Sequence, residues 1–279
     1  MTLFRFLRAA AVTGLLGFVA ACGTTYQMPG VDDAVNARAS AMFAEAKAAP
    51  PRRMTSADAG EARFLRVASR IQPVAEQLCQ AELAAKGADC RVKLELDRQR
   101  RDRNAYFTYA GPGNSQPVIR FTVPMLQDVE SDDEVAFILG HEYGHLIGQH
   151  IVKQQQQAIA GALILGVLTA YGNAQAASAG QGYDPNAVSR NMEIGAAVGG
   201  MAYSQTYELE SDMLGTRIAT AAGYDPVRGA RFFARDEAAR SETGQLSFWG
   251  THPADAKRLA VVLATVDQIK AGSSAAMRK

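Results

Sequence analysis

Residues 131–145 read Ser131-Asp132-Asp133-Glu134-Val135-Ala136-Phe137-Ile138-Leu139-Gly140-His141-Glu142-Tyr143-Gly144-His145. Ser131 followed three residues later by Glu134 is a capping box, which starts a helix, and the apolar residues after it supply buried faces. Inside a helix, His141 and His145 lie slightly more than one turn apart and point the same way. Two imidazoles at that spacing can bind one zinc ion, each at about 2.0–2.1 Å. Glu142 projects beside them, able to hydrogen-bond a water on the ion and take its proton without being a ligand.

A catalytic zinc site needs a third protein ligand and an open fourth position. Tyr207-Glu208-Leu209-Glu210-Ser211-Asp212 offers one. Glu208 and Asp212 are four apart and share a helix face, whereas Glu210 points away. Glu208 as ligand, with Asp212 accepting from a zinc-bound histidine, meets the need to fix the ring orientation. Two histidines remain. His252 is expected near the ion, whereas His150 is rotated off the ligand face and reads as structural.

Upstream of the site helix, Ala57–Lys86 reads as a long amphipathic helix capped by Ser56 and ended by Gly87. Its stripe is Phe64, Val67, Ile71, Val74 and Leu78, and Pro73 within it predicts a kink or a break. The period then changes. Residues 91–97, 105–109 and 118–123 read as strands, the last two separated by Gly111-Pro112-Gly113-Asn114-Ser115. Downstream the pattern is helical over about 131–155, 157–172, 186–221, 226–239 and 253–271. Three strands followed by helices make an α+β domain over 56–279, mainly helical with a small three-stranded sheet. The apolar stretch Ile159–Tyr171 is too short to span a bilayer; it reads as a buried core helix, a lid over the cleft, or a surface that touches lipid. Residues 172–186 read as a mobile loop.

The first residues are a targeting signal. Arg5 and Arg8 precede the short apolar run Ala9–Ala20, and Val19-Ala20-Ala21-Cys22 resembles a lipobox. That resemblance implies cleavage before Cys22 and acylation of its thiol and amine, with 22–55 as a lipidated tether that can hold a short helix between Val31 and Ala48. Gly23, in place of an aspartate, favours the outer membrane, facing the periplasm. Removing residues 1–21 takes two arginines from a net charge of +1 and leaves −1, so neither nucleic acid nor another polyanion is an expected partner. In an oxidising compartment Cys79 and Cys90 are either a disulfide or two buried thiols.

Taken together, these blocks resemble the metallopeptidase family that contains the CAAX prenyl proteases and the heat-shock protease X, gluzincins with a zincin-like domain. Residues 131–145 resemble its active-site helix, and Glu208-Leu209-Glu210-Ser211-Asp212 its Glu-x-Glu-Ala-Asp segment, which implies Glu208 as third ligand. Ala222-Gly223-Tyr224-Asp225-Pro226 and Thr251-His252-Pro253 with Arg258 resemble two later elements. Asn104-Ala105-Tyr106 resembles the opening of the edge strand on which substrate lies. Ser204-Gln205 stands where the family usually has Ser-Arg, Ser211 replaces its usual alanine, and its edge-strand Gly-Gly is not evident. The chain is most similar to the periplasmic lipoprotein branch, which includes the β-barrel assembly-enhancing protease, without that protein's helical-repeat tail.

The resemblance gives His252 two readings, a donor to the oxyanion of the tetrahedral intermediate assisted by Arg258, or an occupant of the open position that holds the enzyme off. The leading expectation is a metalloendopeptidase using one zinc ion on misfolded or stalled envelope proteins, with Glu142 as base. The competing expectations are a non-proteolytic chaperone or assembly factor for outer-membrane proteins on the same scaffold, and a structural zinc lipoprotein.

Overall fold

The computed structural model describes residues 23–201, 204–235, 237–238, 244 and 246–272; Cys22 and its leader lie outside them. The chain divides into two units, one of residues 25–149 and 205–279 and one that includes residues 150–204.

In the first unit, β1 (Lys93–Asp97), β2 (Ala105–Gly111) and β3 (Ser115–Thr122) form one sheet in the order β1-β3-β2. β1 runs parallel to β3, with Lys93 opposite Val118, and β2 runs antiparallel to it, with Phe107 opposite Ile119. The turn between β2 and β3 falls where Pro112 and Gly113 predict it, and Gly113 takes φ 63°, which glycine adopts without a Cβ penalty. β2 is an edge strand of this sheet.

α1 (Asp33–Lys47) and α2 (Ala57–Leu83) precede the sheet. Ser56 caps α2 by accepting from Ala59 N–H at 3.2 Å. Phe64, Val67, Ile71, Ala75, Cys79 and Leu83 are buried along it, and Phe64 meets Phe121 of β3 at 4.9 Å between ring centroids. The helix runs on through Pro73 without a break. The 3-10 turn Ala84–Lys86 follows, with Gly87 left-handed at φ 66°. Cys79 and Cys90 form a disulfide, which joins the end of α2 to the approach to β1.

α3 (Val123–Asp128) leads to α4 (Asp132–Ile147). Ser131 Oγ accepts from Glu134 N–H at 3.2 Å, and Arg52 grips the Glu134 carboxylate through both terminal nitrogens at 2.6 Å. α4 ends at Gly148, and Gln149 turns left-handed at φ 56°. The helix expected to reach residue 155 therefore stops eight residues earlier, because the chain reverses hand there. After the second unit come α7 (Ser204–Ala221), α8 (Pro226–Ala230), the 3-10 turn Arg231–Ala234, α9 (Phe248–Thr251) and α10 (Ala256–Lys270).

Within the expected tether, the short helix placed between Val31 and Ala48 is α1, and it is packed against the rest of its unit. α1 packs on α10 and buries Val35 and Ala39, and Tyr26 is fully buried, its N–H donating to Glu210 Oε1 at 2.7 Å. Glu210, expected to point away from Glu208 and Asp212, is buried and accepts this bond.

The second unit is a hairpin of α5 (His150–Ser178) and α6 (Ala187–Met201). The stretch 159–171 lies within α5, whose 29 residues are by length and composition enough to cross a membrane. It is not a buried core helix: Leu163, Val167 and Leu168 are exposed. Residues 172–178, expected to be loop, continue the helix, with Ala174, Gln175, Ala176 and Ala177 as good helix formers.

Candidate active site

α4 and α7 cross where neither carries a large side chain. A methyl group added to Gly144 would lie 2.8 Å from the Cα and carbonyl oxygen of Ser211, and one on Gly140 would lie 3.0 Å from the Gly215 carbonyl oxygen. This close approach brings the ligand face of α4 against Glu208 and Asp212. His141 Nε2 and His145 Nε2 are 3.1 Å apart, His141 Nε2 is 3.4 Å from Glu208 Oε2, and His145 Nε2 is 3.4 Å from Glu208 Oε1. Ligand atoms held tetrahedrally at about 2.0–2.1 Å from one ion stand roughly 3.3 Å from one another. The three separations are close to that spacing, with a different carboxylate oxygen of Glu208 facing each ring. His252 joins the group, and one donor atom from each of His141, His145, Glu208 and His252 lies within 4.8 Å of the others.

Behind the ligands, Asp212 Oδ1 is 2.9 Å from His141 Nδ1. With that nitrogen donating to the carboxylate, Nε2 is left with its lone pair facing Glu208 and His145. Arg258 clamps Asp212, Nε to Oδ2 and Nη2 to Oδ1, both at 2.7 Å, and its guanidinium stacks 3.9 Å from the centre of the Phe233 ring. Its Nη1 faces the carbonyls of His252 and Pro253 and lies 3.5 Å from Glu208 Oε2. Arg258, expected to add positive charge for the oxyanion, is buried behind the ligand layer, where its N–H groups face Asp212, Glu208 and those carbonyls.

Glu142 Oε2 accepts the backbone N–H of Phe107, on β2, at 2.8 Å, while Oε1 has no hydrogen-bond partner and lies 3.5 Å from His252 Nε2. Burial raises the Glu142 carboxyl to about 8, against the pull of His141. Burial works against charge on His141 too, but the Asp212 and Glu208 carboxylates outweigh it and lift that imidazole to about 9. Burial would also raise Glu208, yet His252, His141 and Arg258 hold it below the ordinary carboxylate range. His252 is pushed well down by burial, partly opposed by Glu208.

The donor set suits a divalent cation. Glu142, Glu208 and Asp212 are carboxylates buried together among the described residues; Arg258 answers Asp212, a proton neutralises Glu142 and the proton on His141 answers Glu208, so a cation bound there would take the place of protons. Glu208 Oε2 and Glu142 Oε1 have no hydrogen-bond partner. Two imidazole nitrogens and a carboxylate are the usual company of zinc at an open site.

His252 is seated by residues that its own motif only partly announces. Its ring stacks on Phe248 at 4.5 Å between centroids, and Nδ1 lies 2.8 Å from Thr251 Oγ1 and 3.3 Å from the Phe248 carbonyl. With Thr251 donating to Nδ1, Nε2 carries the proton; with Nδ1 donating to Phe248, Nε2 presents a lone pair. These two tautomers correspond to the two roles expected of it. Phe248 N–H bonds the Arg103 carbonyl and Asn104 Nδ2 the Leu246 carbonyl, so the approach to β2 carries the His252 segment. Gln205, in the place of an expected arginine, bonds Asp255 at 2.5 Å. His150 opens α5 and is not among the converging residues. Phe107, Phe233 and Phe248 were not foreseen: a backbone amide has no residue signature, and aromatic support reads as ordinary core.

Comparison with known proteins agrees with this geometry. Metalloprotease LoiP of Escherichia coli (strain K12) is 30% identical over 134 residues, which cover 48% of this chain and 49% of that protein. The chain thus matches about half the length of that curated relative. Residues 61–266 match the family described as peptidase family M48, a span that holds β1–β3, α4, Glu208, Asp212, His252 and Arg258. The chain belongs to peptidase family M48, the zinc metallopeptidases.

Proposed function

We propose that this protein is a zinc-dependent endopeptidase, anchored through acylated Cys22 to the outer membrane and facing the periplasm, that cuts misfolded or stalled envelope proteins. The observation that carries the reading is the convergence of His141 Nε2, His145 Nε2 and Glu208 at 3.1–3.4 Å beside a buried, half-satisfied Glu142. Such a site would hold one zinc ion, which supplies a Lewis acid that polarises a peptide carbonyl and acidifies water.

The chain's own residues do the rest. Phe107 N–H fixes Glu142 Oε2, so Oε1 is aimed and free to take a proton from water and pass it to the leaving nitrogen. A carboxyl raised to about 8 is a stronger base than a solvated one. Arg258 and Asp212 keep the His141 ring from rotating. Because Phe107 N–H points away from β3, alternation sends the N–H and C=O of Tyr109 to the same open edge, where an extended peptide can add as a strand. Backbone recognition of that kind reads extended chain rather than sequence, which suits unfolded substrates. The lipobox at Val19–Cys22 and the absence of an aspartate at Gly23 support the location.

Purified protein should contain about one zinc per chain and hydrolyse casein, and Glu142→Gln should keep the zinc and lose the hydrolysis. Casein cleavage unchanged by Glu142→Gln sinks the reading, and aggregation suppression without cleavage would assign the scaffold to a chaperone. His252→Ala sorts the roles of that ring: higher activity marks a blocking ligand, lower activity an oxyanion donor.

A further inference from the structure

The α5–α6 hairpin is packed the wrong way round for a hairpin in water. Its closest contacts are made at small residues: a methyl group on Gly195 would lie 2.2 Å from the Gly161 carbonyl oxygen, and one on Gly166 would lie 2.6 Å from Met192 Cγ. Asn191 Nδ2 donates across the interface to Thr169 Oγ1 at 2.8 Å. The large apolar side chains face outward. Ile159, Leu163, Val167 and Tyr171, at four-residue steps along α5, are 56–67% exposed, and Ile194 and Val198 are exposed on α6. Helices in water associate by burying such side chains, whereas helices in lipid associate through small residues and interhelical hydrogen bonds. From Gln154 to Tyr183 there is no Asp, Glu, Lys or Arg. Tyr171 and Tyr183, both exposed, are the side chains that prefer the headgroup level.

We propose that this hairpin is a lipid-docking element that sinks the Ile159–Leu163–Val167–Tyr171 face of α5 into a bilayer surface. It lies in the interface rather than crossing. Met192 against Gly166 and Gly195 against Gly161 set exposed Glu193 beside the middle of α5, where a full span would drag its carboxylate into hydrocarbon. Lipid is favoured over a second copy of the chain because the uncharged run brings no ion pairs to register a partner, and because acylation of Cys22 would hold the chain at a bilayer already. That last point rests on the proposed anchor; the hairpin packing does not.

The test places a reporter on the face. Trp249, the chain's single tryptophan, is buried and gives a steady background. Leu163→Trp is made in the full chain and bound to vesicles of phosphatidylethanolamine and phosphatidylglycerol, with or without phosphatidylcholine brominated on its acyl chains. Docking predicts a blue shift of the added emission, loss of that emission to bromolipid, and protection from acrylamide. Leu65→Trp, at an exposed leucine of α2, should show none of these. Emission at residue 163 that acrylamide quenches and bromolipid does not would overturn the proposal. Protection from both quenchers, with crosslinking to dimer mass, would assign the face to a second copy and overturn it too. Equal bromolipid quenching at residue 65 would do the same, since the surface at large would then be meeting lipid. Mass analysis of the N-terminal peptide reports acylation separately, so a failed anchor and a failed hairpin are distinguishable.

Discussion

At His141 the ring is oriented from behind, by a carboxylate that is itself held by a guanidinium. Asp212 accepts from Nδ1 at 2.9 Å and from Arg258 twice at 2.7 Å, all of it buried. Asp212→Asn keeps an oxygen for His141 but turns an amide toward Arg258 and leaves that cation without its partner. Loss of such outer support costs about 10–100-fold in metal affinity, and stripping one partner from a buried ion pair costs about 3–5 kcal/mol of stability. Both changes are expected in one variant, read as the zinc dissociation constant by chelator competition and as the urea midpoint. A variant with weakened zinc and unchanged stability would mean that Arg258 finds another counter-charge. Phe107 is a different case, because its contribution is an N–H. Phe107→Pro removes the donor to Glu142 at an edge position where the sheet does not need it. The expected result is lower kcat with zinc content retained; equal kcat would remove Phe107 N–H from the account of Glu142.

The site exists because α4 and α7 come close, and glycine allows it. At Gly144 a methyl group would meet Ser211 backbone at 2.8 Å, which no side-chain rotation relieves. Gly144→Ala gains up to ~1 kcal/mol of helix propensity and loses about 1–3 kcal/mol to overpacking, so the net should be destabilising. Zinc should be lost with it as the helices part. Gly172→Ala, on an open stretch of α5, meets nothing within 4 Å and should be neutral or stabilising. Thermal unfolding of the two variants checks this, and a stabilised Gly144→Ala protein would deny the close crossing. Elements with strong local signals were legible in the sequence. Ser131, Glu134 and the His-Glu-Tyr-Gly-His spacing located α4, and the alternation of residues 91–97 located β1. α1 was expected as a short helix but its packing was not, because its buried contacts, Val35 and Ala39, are too small to stand out among alanines. The end of α4 was missed because Gln149 in a left-handed conformation announces nothing. Arg258 was found through the family's late motif, whereas its two bonds to Asp212 left no signal in the spacing of the two residues.

For the molecule as a whole, the site is a concentration of buried charge in a chain that is otherwise balanced, with 29 basic and 28 acidic side chains. Among the described residues, surface charges such as Arg98 with Glu61 or Arg66 with Asp132 sit in pairs, and such pairs contribute at most about 1 kcal/mol each. The cluster of Glu142, Glu208 and Asp212 around Arg258 is another matter, because burial removes the water that would screen it. A dication bound there is therefore linked to folding: it stabilises the native state according to its concentration relative to its dissociation constant. Zinc at one hundred times that constant contributes about 2.7 kcal/mol, which for a protein of this size shifts Tm by roughly 5–10 °C. Chelation should lower Tm by that amount and added zinc should restore it. Glu208→Gln keeps the shape of the side chain but removes one buried negative charge along with the third ligand. Its Tm should be insensitive to both chelator and zinc. A chelated native protein that melts where the zinc-loaded one does would show that no dication is linked to folding here, and the case for a resident ion would go with it.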